Sequence, residues 1–157
     1  MQEITTISRI DRSLILKSWK IKLTLVFAAG CLGGLLNSLT VWLFGITGIT
    51  TLFGVAIAPT LTPPWLYPRI VWGGIWGFLF FWDSWHKNYL SRSLIYGLCP
   101  TFVQLFIIFP LSANKGLMGV ELGRLTPLFV ILFNSVWAIS TALWLKSISD
   151  LQTSDRN

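Results

Sequence analysis

IKLTLVFAAGCLGGLLNSLTVWLF, residues 21–44, is apolar throughout except for Lys22 near its start and the uncharged Thr24, Asn37, Ser38 and Thr40. About 20 mainly apolar residues cross a hydrocarbon core of roughly 30 Å as an α-helix. A helix is the form to expect because it pairs its own backbone N–H and C=O groups where no water can do so. This stretch decides the fold class, an all-α integral membrane protein, and gives the ruler for the rest of the chain.

By that ruler three more spans are expected. Residues 67–85 hold the run Ile70-Val71-Trp72-Gly73-Gly74-Ile75-Trp76-Gly77-Phe78-Leu79-Phe80-Phe81, with Pro68 in the first turn, where a missing N–H costs nothing. Residues 94–111 contain Pro100, where a kink is expected, and close on Pro110; residues 125–145 carry Pro127 near their start. The expected fold is thus a four-transmembrane-helix bundle. Between its helices 1 and 2 lies an uncharged segment, residues 45–66, broken by Gly45, Gly48, Gly54, Pro59, Pro63 and Pro64. Irregular backbone is excluded from lipid contact. This Pro/Gly-rich segment is therefore expected to form a short helix over roughly residues 50–57, either interfacial or re-entrant against protein.

Composition agrees. Of 157 residues 54% are hydrophobic and 11% charged, where a soluble domain carries about 25% charged residues. No linker or low-complexity tract divides the chain, which reads as a single membrane domain over 1–157 with a basic cytoplasmic N-terminus, 1–20, and a cytoplasmic tail, 146–157. The net charge of +6 does not indicate nucleic acid, because the Lys and Arg residues flank apolar segments. Nine of them (Arg9, Arg12, Lys17, Lys20, Lys22, Lys87, Arg92, Lys146, Arg156) fall on one side of the expected bundle and three (Arg69, Lys115, Arg124) on the other. The positive-inside bias then predicts both termini cytoplasmic in a multi-pass protein of the inner (plasma) membrane. Trp19, Trp82, Trp85 and Trp144 mark the inner boundary, and Trp42, Trp65 and Tyr67 the outer one. Cys31 follows a basic region and a short apolar run, loosely as in a lipoprotein signal, but the chain stays apolar well past it. Cys31 and Cys99 have neither a disulfide-framework nor a metal-type spacing.

Ionisable residues inside a span mark function, and none lies away from the ends of the expected spans. His86 is the single histidine; with Asp83 and Lys87 it reads as a polar anchor closing a span. No catalytic, metal or cofactor-binding residue is therefore expected. Arg69, Glu121 and Arg124 form an expected charge group at the outer boundary, fixing packing or holding an anionic head group. Asn37, Gln104 and Asn134 are amides in the middle of the bilayer, where interhelical hydrogen bonds are worth about 0.6–2 kcal/mol each. They read as structural glue, or as a polar patch for a lipid, pigment or solute. Gly30 with Gly34, and Gly73 with Gly77, open smooth grooves for close helix approach, either within the chain or towards a partner. Trp72, Trp76 and Phe80 make an aromatic ridge beside the second groove. No phosphate loop, nucleophile elbow, zinc signature or internal repeat appears.

These features favour a non-enzymatic accessory, assembly or interaction subunit, with the lipid bilayer and another membrane protein or a second copy of the chain as partners. The alternative is an oligomeric small-solute transporter or channel lined by Asn37, Gln104 and Asn134. A lipid-modifying enzyme comes third.

Overall fold

The computed structural model describes residues 2–82 and 88–154, and among these the chain is helical with irregular connections and no strand. Helix α1 (Gln2–Ile46) is followed by the single turn α2 (Ile49–Leu52). Helix α3 (Pro63–Gly77) continues as a 3-10 stretch, Phe78–Trp82. Helix α4 (Tyr89–Val103) continues as a π-helix, Gln104–Ser112, and after a 3-10 turn, Leu117–Leu122, comes α5 (Thr126–Ser154). Three segments are long and apolar enough to cross a membrane: Ser18–Ile46, Tyr89–Ser112 and Thr126–Asp150.

Two expectations are revised. The segment expected as the second span starts earlier, at Pro63, and leaves α-helical geometry at Phe78; Asp83, Trp85, His86 and Lys87 lie outside the described residues. The short helix expected over residues 50–57 is confined to Ile49–Leu52. It ends there because Gly54 takes a φ of 67° and Val55 N–H turns back to the Thr50 carbonyl at 2.9 Å. The Thr50 hydroxyl, fully buried, donates to the Ile57 carbonyl at 2.8 Å and ties the irregular stretch back onto its own short helix.

Helix α1 carries hydroxyls through an apolar setting by satisfying them internally. Thr24, Ser38 and Thr40, and Thr47 just past its end, each donate to the carbonyl four residues earlier, at 2.7 to 3.0 Å, the local bonding that removes the desolvation cost of a hydroxyl.

The tightest junction is glycine on glycine. Gly30 and Gly34 of α1 face Gly73 and Gly77 of α3 so closely that a Cβ on Gly73 would stand 2.6 Å from the Gly30 carbonyl oxygen and 2.8 Å from the Gly34 Cα. Small residues allow this approach, and in lipid it gains van der Waals contact where no hydrophobic drive operates. Helix α5 closes on the same point. Trp137, 3% exposed, donates its indole N–H to the carbonyls of Gly30 (3.2 Å) and Gly73 (3.3 Å) together. Gly33 gives it room, since a Cβ there would lie 2.9 Å from the Trp137 ring.

The helices form a row, with α3 on α1, α1 on α5 and α5 on α4. Helices α3 and α4 hardly touch; among the described residues the row folds back on itself where the Phe78–Trp82 stretch reaches α4. There the Phe80 ring stands edge-on to Tyr96 at 4.9 Å and to Trp137 at 5.9 Å. At the opposite end Val41, Val55, Phe129 and Phe133 form a second apolar cluster, and the two connections are tied together by Ala56 N–H to the Leu122 carbonyl at 2.7 Å.

Replacing Gly73 with Leu should therefore cost about 3 kcal/mol or more, because backbone on both sides must move, and Trp137→Phe about 1 kcal/mol for its lost hydrogen bonds. A Cβ at Gly48 meets nothing within 4 Å, so Gly48→Ala should cost only the strain of its positive φ, about 1–2 kcal/mol. Thermal unfolding of the three variants in detergent checks this ranking.

Candidate functional site

Between the two apolar ends lies a polar layer to which all four long helices contribute. It begins at Arg69, which sits a turn and a half into α3. Its Nε donates to the Ser38 hydroxyl at 3.1 Å and its Nη2 to Asn37 Oδ1 at 3.1 Å, both on α1. Asn37 Nδ2 in turn donates to the Phe133 carbonyl at 2.8 Å and to Asn134 Oδ1 at 3.3 Å on α5. Asn134 Nδ2 donates to the Thr101 hydroxyl of α4 at 3.0 Å, and Thr101 to the Gly97 carbonyl at 2.8 Å. The chain of donors thus runs from α3 through α1 and α5 to α4. Asn37 and Asn134 are both 7% exposed, so each amide exchanges water for specific partners.

Two hollows meet at this layer. The first, about 310 Å³, occupies the place where α3 and α4 hardly touch; Asn37, Arg69, Trp72, Trp76, Gln104 and Asn134 are among its walls. The second, about 300 Å³, lies towards the Pro/Gly-rich connection, under Ala56, Ile57, Ala58 and Pro59. Asn37, Arg69 and Gln104 line both. The Arg69 guanidinium lies over the Trp65 ring at 4.7 Å, which screens one face of the cation with π density.

The backbone of α4 is unusual here. Pro100 and Pro110 supply no N–H, and from Gln104 the ladder widens to π-helical pairing, ending with Ala113 N–H on the Ile108 carbonyl, five residues back, at 2.8 Å. Such widened turns are frequent at functional sites. Gln104 stands at the start of this one, half-buried, and its side chain makes no hydrogen bond to the described residues.

Of the residues singled out from sequence, the structure brings Asn37, Gln104, Asn134, Arg69, Gly34, Gly73, Trp72 and Trp76 around one hollow. It does not assemble the expected outer charge group. Among the described residues no ion pair joins Glu121 to Arg69 or to Arg124; Glu121 and Arg124 are exposed on the connection before α5, while Arg69 turns inward to Asn37 and Ser38. The aromatic ridge is also divided. Trp72 is 58% exposed and Phe80 1%, because the change to 3-10 winding after Gly77 carries Phe80 off the α-helical stripe and into the bundle. Thr101, Ser38 and Trp137 were not legible as site residues.

No protein-family model matches the chain, and no curated protein or solved structure is significantly similar to it.

Asn37→Leu deletes the bonds to Arg69, Phe133 and Asn134, and Asn134→Leu those to Asn37 and Thr101. At about 0.6–2 kcal/mol for each bond, both should unfold at lower temperature than the unaltered chain. Asn37→Leu should be the worse of the two, since it deletes three side-chain bonds against two. Equal melting temperatures for all three would show the layer to be energetically idle.

Proposed function

We propose that the chain is a four-span membrane protein of non-enzymatic function that holds a small ligand in the hollow between α3 and α4. The observation that carries this reading is the hollow of about 310 Å³ at mid-bundle, walled by Arg69, Asn37, Gln104 and Asn134. Tight packing is the rule for protein interiors, and ligand sites in bundles are built between helices from a few convergent polar groups in an apolar wall.

A fourth span is supported by length. The 15 residues of α3 at about 1.5 Å each and the 5 of its 3-10 continuation at about 2 Å each make a rod of about 32 Å, enough for a core of roughly 30 Å. The Pro/Gly-rich connection then lies at the outer membrane boundary as an interfacial segment. Both termini lie on the cytoplasmic side of a plasma (inner) membrane, as the Lys/Arg distribution favours. The accessory-subunit reading loses its main motive, because the glycine grooves that would receive a partner are filled by α1 and α3 for each other.

Topology is checked by thiol labelling of whole cells, in a background with Cys31 and Cys99 changed to Ala. Cysteines at Ser18 and Asp150 should be shielded alike and one at Lys115 labelled from outside; Ser18 and Asp150 on opposite sides would remove the fourth span. Ligand holding is checked by native mass spectrometry of protein purified in mild detergent. A small molecule should be retained one to one and be lost from Val103→Trp, a substitution that fills the hollow. A stoichiometric second polypeptide, with no small molecule, would return the accessory-subunit reading.

A further inference from the structure

We infer, building on the ligand-holding reading above, that the hollow takes an anionic amphiphile, with a carboxylate or phosphate head on Arg69 and an apolar chain lying between α3 and α4. Arg69 has five N–H donors. Two are engaged, on Ser38 and Asn37, which leaves three with no hydrogen-bond acceptor among the described residues, where no carboxylate balances the charge either. Gln104 lines both hollows with its amide unengaged, placed to add a donor to the same head group. A guanidinium with a free donor edge is the fork that carboxylate and phosphate oxygens fit.

The remainder of the wall decides against a small hydrated ion. Trp72, Trp76, Pro68, Val103 and Ile108 surround the polar spot and return nothing for the water an ion would shed. The same wall suits a hydrocarbon chain. Access suits it as well, because α3 and α4 hardly touch along the hollow, so a lipid-borne molecule enters sideways. Phe80, packed on Tyr96 and Trp137, closes the cleft at the end near the termini.

The test is native mass spectrometry of the purified full chain titrated with oleate, lysophosphatidate, methyl oleate and inorganic phosphate. Oleate or lysophosphatidate should form a one-to-one adduct, with methyl oleate and phosphate weaker by about tenfold or more. Arg69→Gln should lose about tenfold or more in adduct affinity and Arg69→Lys less, since it keeps the charge and not the fork. Gln104→Leu breaks no side-chain hydrogen bond among the described residues, so it should keep the melting temperature while weakening the adduct several-fold, which separates recognition from folding. Methyl oleate binding as well as oleate, with Val103→Trp losing both, would overturn the anionic head and leave the hollow as a ligand site. Inorganic phosphate displacing oleate mole for mole would overturn the apolar chain and point to a free anion. Oleate adducts no stronger in the unaltered chain than in Val103→Trp would overturn the inference and the reading beneath it together.

Discussion

Everything in this bundle depends on how closely two backbones approach at Gly30, Gly34, Gly73 and Gly77. Lipid tails are as apolar as leucine, so helices in a membrane are not driven together by water; contact and polar pairing hold them. With no side chains in the way, α1 and α3 present two carbonyl oxygens, those of Gly30 and Gly73, within reach of a single indole N–H on α5. The third helix is thereby positioned by the junction of the first two. Once α5 is seated there, Asn134 falls one turn away, opposite Asn37, and the polar layer follows from the same geometry.

The tightness at the glycines and the looseness between α3 and α4 are two sides of one arrangement. A row of helices folded back on itself leaves a seam. Phe80 closes it at one end, and the turn around Gly54 to Ala58, tied to Leu122, roofs the other. Between them lies the hollow, beside the stretch where Pro100 and Pro110 deprive α4 of donors and its ladder widens.

Much of this was legible in the chain. Glycines four apart in an apolar run have few other uses, and amides are costly enough in hydrocarbon that Asn37, Gln104 and Asn134 stand out. Arg69 was misread because the start of its helix was misplaced. Counted from Tyr67 it is a boundary charge, facing Glu121; counted from Pro63, where the Pro-Pro pair opens α3, it is a turn and a half deep and needs partners inside. The double proline was the available signal. Trp137 and Thr101 carried none, because a tryptophan that caps two carbonyls and one that faces lipid look alike in an apolar sequence. The widened turn of α4 was hidden for a similar reason, since Pro110 reads as the end of a span.

The hydrogen-bonded layer has one sense only, and that sense governs which residues the site can tolerate. Arg69 can only donate, so the side chain at position 37 must offer it an oxygen; the Phe133 carbonyl can only accept, so the same side chain must offer it a hydrogen rather than a lone pair. An amide meets both demands, and its orientation is thereby fixed. Aspartate, identical in shape and the obvious counterion for Arg69, would set a carboxylate oxygen against the Phe133 carbonyl and Asn134 Oδ1, trading a donor for repulsion in a dry setting. At position 37, within direct reach of the guanidinium, a carboxylate is thus disfavoured by the neighbour on α5. Among the described residues the positive charge in the hollow has no carboxylate beside it, and the asparagine at position 37 keeps one from that place.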